Sequence, residues 1–527
     1  MNVNSAQAFS GLELVALAIL VACACPLQAE PLPAMAEAAA SASPAPESAL
    51  LGSTELVRRV LSHNRTVLSK RHEQGIAATG VDRAQAAFQP LLNLSGSRGQ
   101  NRQKNTHEEA LVRNNLGIYE RTGNDYSVGL SQLFATGAKA EAKVTLASFL
   151  TSSNLLDTTR PDGVLDHRSA VSLSLTQPLA RDAGPEVTQA KLTLARLDGE
   201  AAERSSRDTE TSVAAEALVA YYDLLFSHQQ LLAAQERLGL GGRLLEEANG
   251  LHRQGRIAAA DVWEVENALA RYQSAQAEAR QGWRERLNRL RSQLMIPAGE
   301  SPELIRVDEP LPKVEVQGPT HGESLGVALE RRADFQWRKL QVEREGVQLA
   351  YAENQGLPRI DLLASYGING LEYHAKPAFA VGRMNDYPNW SIGVQVQVPL
   401  GENLQAGADI AAAALRRQDA LLAVKAAEVQ ISNEIDTSLG MRASAAQRWQ
   451  IAQQVEERER QRLELERRKF SAGRSDTREV LQRIERAINA GLAAKEQQLA
   501  FAKADMLLLA AQGILLDGFQ QTESGGR

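Results

Sequence analysis

The sequence predicts a mainly α-helical, internally duplicated fold. Long antiparallel coiled coils carry a few membrane-type β-strands that close only between several copies of the chain. Three observations predict it. First, Glu186 to about Gln254 is free of proline and helical in pattern throughout. At about 1.5 Å per residue such a helix is ~100 Å long, far beyond an ordinary domain helix. Second, several short segments alternate with period two, most cleanly Ile392, Val394, Val396 and Val398 against Gly393, Gln395 and Gln397. Third, the arrangement of helix, strands, long helix, Gly-Arg turn and helix is written twice.

The duplication is visible in the numbering. Pro90 and Pro358 lie 268 residues apart, and the same offset relates Leu61 to Leu329, Leu94 to Leu362 and Ser97 to Ser365. Pro178 and Pro399, each ending an alternating strand, differ by 221, and Gly255 and Gly473 by 218. The shrinking offset places extra residues between the strands of the first copy. The 527 residues carry 58 Lys+Arg against 64 Asp+Glu, a net charge of -6 that gives no support for a nucleic-acid partner.

Along the chain, residues 1–29 contain the apolar run LELVALAILVACAC, too short to span a bilayer and suited to a signal-peptide core. There is no Lys or Arg before Arg58, so the usual basic leader is lacking. Leu20 to Cys23 resembles a lipobox, which would make Cys23 a lipidated N-terminus. Cleavage after Ala29 is the alternative, and a metal site at Cys23 and Cys25 has no His or acidic cluster to complete it. Residues 30–52 are rich in Pro, Ala and Ser and read as a linker. The first repeat spans 53–296. Ser53 is expected to cap a helix running to about Phe88. Strand candidates follow in QPLLNLSGS, YSVGLSQLF, KAEAKVTLASF and SAVSLSLTQP. In the long helix Leu224, Leu231, Leu238 and Leu245 recur every seven residues, with Ser227, Ala234, Gly241 and Ala248 between them. That large-small seam places Gly241 in a packing slot, with a helix break at GLGLGG as the alternative. A second helix runs from about Ala260 to Leu294. Residues 297–320 form a Pro/Gly-rich connecting segment, 321–516 the second repeat and 517–527 a tail.

The strands decide the architecture. In a membrane their edges must close, yet those of one chain are too few to surround a lumen, so closure requires several chains. Two shorter helices stacked end to end can lie antiparallel to each long one, and such a slab likewise has no closed core.

These features together resemble the TolC family of outer-membrane efflux proteins, over essentially Ser53 to Leu516. The resemblance rests on SLSLTQPL and GVQVQVPL, each followed by a very long helix, and on the duplication. It rests also on the turns HRQGRIAAADVWEVENA and KFSAGRSDTREVLQRIERA. It implies a homotrimer with a transmembrane β-barrel in the outer membrane and an α-helical barrel reaching through the periplasm. Helix tips would converge there into a gating iris, docked to a periplasmic adaptor (membrane fusion) protein and a proton-driven or ABC inner-membrane pump. It places Glu479 and Gln482 on the acidic pore-ring positions after the second tip, and Asp261 on the matching site after the first. Gly255 and Gly473 make the tip turns, where a sharp reversal suits glycine. Phe470 stands where the family has a bonding tyrosine and the basic residue is shifted to Arg474, so Arg256, Arg474 and Phe470 are the candidate latch. The reading without function is that Asp261 and Glu479 sit in a helix first turn, where acids are favoured anyway. KAEAKVTLASF with YSVGLSQLF gives up to six strands per chain, a pair beyond the family pattern, and hence an 18-stranded trimer. A folded loop or hairpin is the alternative.

No catalytic or nucleotide-binding motif is present, the eight histidines show no ligand spacing, and neither enzyme activity, cofactor nor metal is expected. Two other readings stay open: the duct of a type I protein secretion system, and a periplasmic coiled-coil scaffold without a pore.

Overall fold

The computed structural model describes residues 52–152, 165–297, 313–372 and 388–520. The signal peptide, Cys23, nearly all of the first linker, residues 298–312 and the last seven residues of the tail lie outside them.

The chain opens with α1 (Ser53–His63) and α2 (Arg65–Gln85), then β1 (Leu91–Lys104), a short helix α3 (His107–Val112), β2 (Ile118–Leu133), β3 (Lys139–Thr151) and β4 (Asp166–Pro178). A single turn, α4 (Pro185–Thr188), leads into α5 (Ala190–Arg253) and α6 (Ala259–Gln293). The second half runs α7 (His321–Arg331), α8 (Ala333–Gln355), β5 (Arg359–Glu372), β6 (Pro388–Gln397), α9 (Leu404–Ser471), α10 (Thr477–Ala511) and α11 (Leu515–Gln520).

Two sequence expectations need correction. The first helix is not continuous to Phe88: at Asn64 the backbone turns extended, and the Asn64 side chain accepts a hydrogen bond from the Thr66 amide to start a new helix. The cap of α1 is Gly52 rather than Ser53. The long helix likewise starts at Ala190, with Gln189 outside helical geometry after α4. Across GLGLGG, by contrast, α5 is unbroken, and a Cβ on Gly241 would meet the Tyr272 ring at 3.0 Å. The seam residues Leu224, Ser227, Leu231, Ala234 and Ala248 are all buried.

The Asn64 kink has a counterpart at Arg332. Asn64 donates to the Gln293 carbonyl at 3.3 Å and Arg332 to the Ala511 carbonyl at 3.4 Å. Each residue hooks the joint between two short helices onto the last turn of the returning helix, satisfying a carbonyl that the helix end leaves free. Arg332 also bonds Asp334 and Glu434, and beside it burial and the Asp334 carboxylate push the Asp208 carboxyl up. The segment 313–320 is pinned to the second coiled coil by Arg442, which pairs with Asp505 and donates to the Gln317 carbonyl at 3.2 Å.

All strands join one antiparallel sheet in sequence order, β1 to β6, so the segment left open between strand pair and loop is the strand pair β2–β3. The register brings the apolar alternation of every strand onto one face. Leu94 stands opposite Val128, Val128 opposite Val144, and Val144 opposite Val171. Val171 is opposite Ile368, and Leu362 opposite Val394. A one-residue slip anywhere would send half of this face to the other side. The opposite face carries Ser95, Ser127, Lys143, Ser172, Ser365 and Gln395. Trp390, Ile392 and Val394 are 73%, 71% and 62% exposed, so nothing among the described residues covers this part of the apolar face.

In the helical part α5 lies between α2 and α8, and α9 packs on α8. Farther along, α5 pairs with α6 and α9 with α10, with α10 packed against α5. Both the sheet and the slab therefore end in open edges: β1 and α2 on one side, β6 and α9 on the other.

Gly241→Ala is expected to lower the thermal midpoint, because overpacking against Tyr272 costs about 1–3 kcal/mol. Gly239→Ala, where a Cβ meets nothing within 4 Å, should raise it by the roughly 0.5–1 kcal/mol that helical glycine forfeits. Circular dichroism melts of the two variants check the contrast.

Candidate functional site at the helix tips

The two Gly-Arg turns are the same device. In the first, the Gly255 amide donates to the His252 carbonyl (2.8 Å) and the Arg256 amide to the Leu251 carbonyl (3.0 Å). In the second, Gly473 donates to Phe470 (2.8 Å) and Arg474 to Lys469 (2.9 Å). These paired bonds close each helix in a Schellman motif, with glycine at the left-handed position, φ 72° and 71°. The residue after that glycine supplies the second amide, which explains its place but not why it is arginine.

The arginines part ways from there. Arg256 lies across Gly473, where a Cβ would come within 2.5 Å of its guanidinium nitrogen, so the first tip leans on the second through that glycine. Arg474 is exposed and makes no side-chain hydrogen bond or ion pair among the described residues. Phe470 is 1% exposed, in a core shared by both hairpins with Leu244, Val265, Tyr272, Val480 and Ile484. Its role within one chain is packing.

Asp261 and Glu479 occupy the same place in their helices with different partners. Asp261 reaches back to accept the Ala258 amide at 3.0 Å, which an alanine at the helix start leaves otherwise uncapped. At the second tip Asp476 caps by accepting the Glu479 amide at 2.8 Å, and the Glu479 carboxylate is released to pair with Arg483 at 2.6 Å. Gln482 is exposed and neutral. Just before the turn, Glu466 is nearly buried, accepting from Ser475 and pairing with Lys469 at 3.1 Å. The Ser475 hydrogen bond, with Lys469 and Arg483 nearby, holds its carboxyl below the usual carboxylate range.

A second set of contacts, between the hairpins, was not readable from sequence. Glu247 on α5 pairs with Arg467 on α9 at 3.1 Å, and Glu264 on α6 with Arg478 on α10 at 3.2 Å. The Tyr272 hydroxyl donates to Glu485 at 3.4 Å, and Arg237 to Asn489 at 2.7 Å. Burial, and then the Glu485 carboxylate, push the Tyr272 hydroxyl up to about 12, so it stays a donor at any ordinary pH. Charges are abundant on every outer helix face, and spacing alone does not say which face another hairpin.

Among the described residues no group of His, Cys, Asp or Glu could hold a metal, and no helix is long and apolar enough to cross a membrane. The sheet, with a mainly apolar face and a polar face nearest the helices, has the pattern of a membrane barrel wall.

Residues 325–512 match the family model described as outer membrane efflux protein. The fold is shared with solved outer-membrane channels. The CmeC outer membrane channel of Campylobacter jejuni is 14% identical, with TM-score 0.60, over 88% of this chain and 86% of that one. VceC of Vibrio cholerae is 17% identical, with TM-score 0.58, over 88% and 96%. The open-state MtrE channel of Neisseria gonorrhoeae is 17% identical, with TM-score 0.56, over 88% and 89%. No curated protein matches the sequence. The shared fold and the match of residues 325–512 make outer-membrane channels the class that this chain resembles. Within that class, residues 325–512 in the second half of the chain are similar to outer membrane efflux proteins.

Gly473→Ala should disturb the tips more than Gly255→Ala. Both meet the left-handed penalty of about 1–2 kcal/mol, but only the first displaces Arg256. Hydrogen exchange across 466–479 reads the difference. Because the Glu466 carboxyl is depressed in the fold, its stabilisation is complete above the ordinary carboxylate value of 4.5 and is lost as pH falls below it. The same amides should therefore exchange faster in acid, and Glu466→Gln should flatten that dependence.

Proposed function

We propose that three copies of the chain form one duct from the periplasm to the outside, closed at rest by the helix tips and working with a periplasmic adaptor and an inner-membrane pump. The observation that carries this reading is the coincidence of open edges. On one side α2 leads into β1; on the other β6 leads into α9. An unpaired strand edge cannot remain in hydrocarbon, and a second copy presents the complementary edge. The helices have matching unfilled faces. Leu415, Leu422 and Val429 form a heptad stripe on α9, exposed by 64%, 63% and 62%, while α2 exposes Leu68 and Ile76. Three six-stranded sheets make an 18-stranded barrel, a size that leaves an aqueous lumen. A pore-free scaffold would have no use for the continuous apolar sheet face.

Sharing one outer face requires even-numbered residues of β1 to stand opposite even-numbered residues of β6. Leu94→Cys should therefore cross-link to a cysteine at Val394 or Val396 of a neighbouring copy, giving a covalent trimer ladder, while Asn93→Cys should not. Cross-linking at Asn93 instead would overturn the closure.

The gate is placed where the hairpins tie together. Opening swings α9/α10 away from α5/α6, breaking Glu247–Arg467, Glu264–Arg478 and Tyr272–Glu485. Exposed pairs are worth about 0.2–1 kcal/mol each, so Arg467→Ala with Arg478→Ala should raise the open fraction roughly 2- to 30-fold in single-channel recordings. Glu479 rings the pore with Asp261 behind it, and Glu479→Ala should weaken cation selectivity; unchanged selectivity would sink that assignment.

A further inference from the structure

The β1–β2 hairpin does not stop where the apolar face stops. The last apolar pairing on this face is Gly96 with Tyr126, whose ring lies over the glycine at 3.3 Å from where a Cβ would be. The ladder then continues without interruption to Lys104 opposite Ile118. It is closed by α3, whose Thr106 and Glu109 make a capping box, and by Arg113, which donates to Asn105 at 2.6 Å and covers the Tyr119 ring. The projection is a built rod, and side-chain alternation persists along it.

Along β1 the charges follow that alternation. Continuing the face of Leu92, Leu94 and Gly96 come Arg98, Gln100, Arg102 and Lys104; the other face carries Ser97, Gly99, Asn101 and Gln103. On β1 all three cations stand on the outward face and none on the inward one, while Arg121 of β2 stands inward and pairs with Asp125 at 3.5 Å. Arg102 is partly offset by Glu120 at 3.8 Å, while Arg98 and Lys104 have no ion-pair partner among the described residues. Tyr126, Tyr366 and Trp390 lie on the same apolar face, as interfacial aromatics do at a membrane boundary.

We propose that Arg98, Arg102 and Lys104 form a binding stripe for the phosphate groups of a phosphorylated glycolipid in the outer leaflet. This rests on the outer-membrane barrel reading, which puts Leu92 and Leu94 against lipid. The class of lipid follows from reach. At about 3.4 Å per residue, Arg98 lies roughly 7 Å and Lys104 roughly 27 Å along the strand beyond Gly96. A phospholipid headgroup layer is only about 5–8 Å deep, so one end of the stripe meets that layer and the other needs a large anionic headgroup.

The test uses the full trimer in phosphatidylcholine vesicles doped with a bis-phosphorylated glucosamine lipid or its dephosphorylated form. Lipid retained after mild detergent extraction is counted by native mass spectrometry. The wild type should retain the phosphorylated form preferentially. Arg98→Gln, which removes no described side-chain bond, should weaken retention roughly fivefold, about what one interfacial cation contributes. The triple change to Gln at positions 98, 102 and 104 should abolish the preference while trimer migration and conductance stay at wild-type values. Equal retention of both lipids by the wild type, or an undiminished preference in the triple variant, overturns the proposal. So does complete displacement by inorganic phosphate at matched ionic strength, which would make the stripe a general anion site. A wild-type chain that forms no conducting trimer overturns the barrel reading itself, an outcome distinct from loss of lipid preference alone.

Discussion

A backbone amide or carbonyl in hydrocarbon has no water to turn to, and the proposed assembly of this molecule follows from that constraint. One chain supplies a sheet with two open edges and a slab of helices with two open faces, and the edges lie on the same two sides. Each edge strand joins its edge helix within a few residues, so in the proposed trimer one act of association would complete both layers. The β2–β3 pair widens the sheet without disturbing this. It adds an even number of strands, so β1 and β6 keep their antiparallel sense and the chain still enters and leaves on the helical side.

The helical half is organised by where long helices must stop and return. Each tip reverses through a left-handed glycine, and each helical joint is hooked to the end of a returning helix, by Asn64 in one repeat and Arg332 in the other. Duplication supplied two equal hairpins, and small substitutions made them unequal. At the first tip Asp261 accepts the Ala258 amide, whereas at the second Asp476 accepts the Glu479 amide and the Glu479 carboxylate pairs with Arg483. The arginines diverge in the same way, one lying over the opposite glycine and the other open to solvent. A symmetric frame thus carries an asymmetric contact at its tips.

The amino-acid pattern reaches far where periodicity is the cause. The five alternating segments fell in β1 to β4 and β6, the repeat offset from Leu94 to Leu362 fell in β5, and the Leu-and-small seam of α5 became buried contacts with Gly241 against Tyr272. It failed where a single residue redirected the chain: Asn64 looks like one more polar position on a helix until its side chain is seen capping Thr66. The glycine turns at 255 and 473 were legible because no other residue takes that backbone conformation cheaply. The inter-hairpin ties were not. Glu247, Glu264, Arg467 and Arg478 are four among many charges on exposed helical faces, and only the packing of α5 and α6 against α9 and α10 selects them.

What the sequence by itself determined is therefore the local geometry: long helices, alternating strands, the places where they reverse and the twofold repetition. These depend on periods and backbone preferences acting over a few residues. Tertiary structure alone decided which faces meet. It fixed the register that lines up Leu94, Val128, Val144, Val171 and Ile368 on one side of the sheet, and the leaning of Arg256 on Gly473. Those are relations between segments hundreds of residues apart or between strands across a ladder, and a one-dimensional pattern carries no measure of that distance.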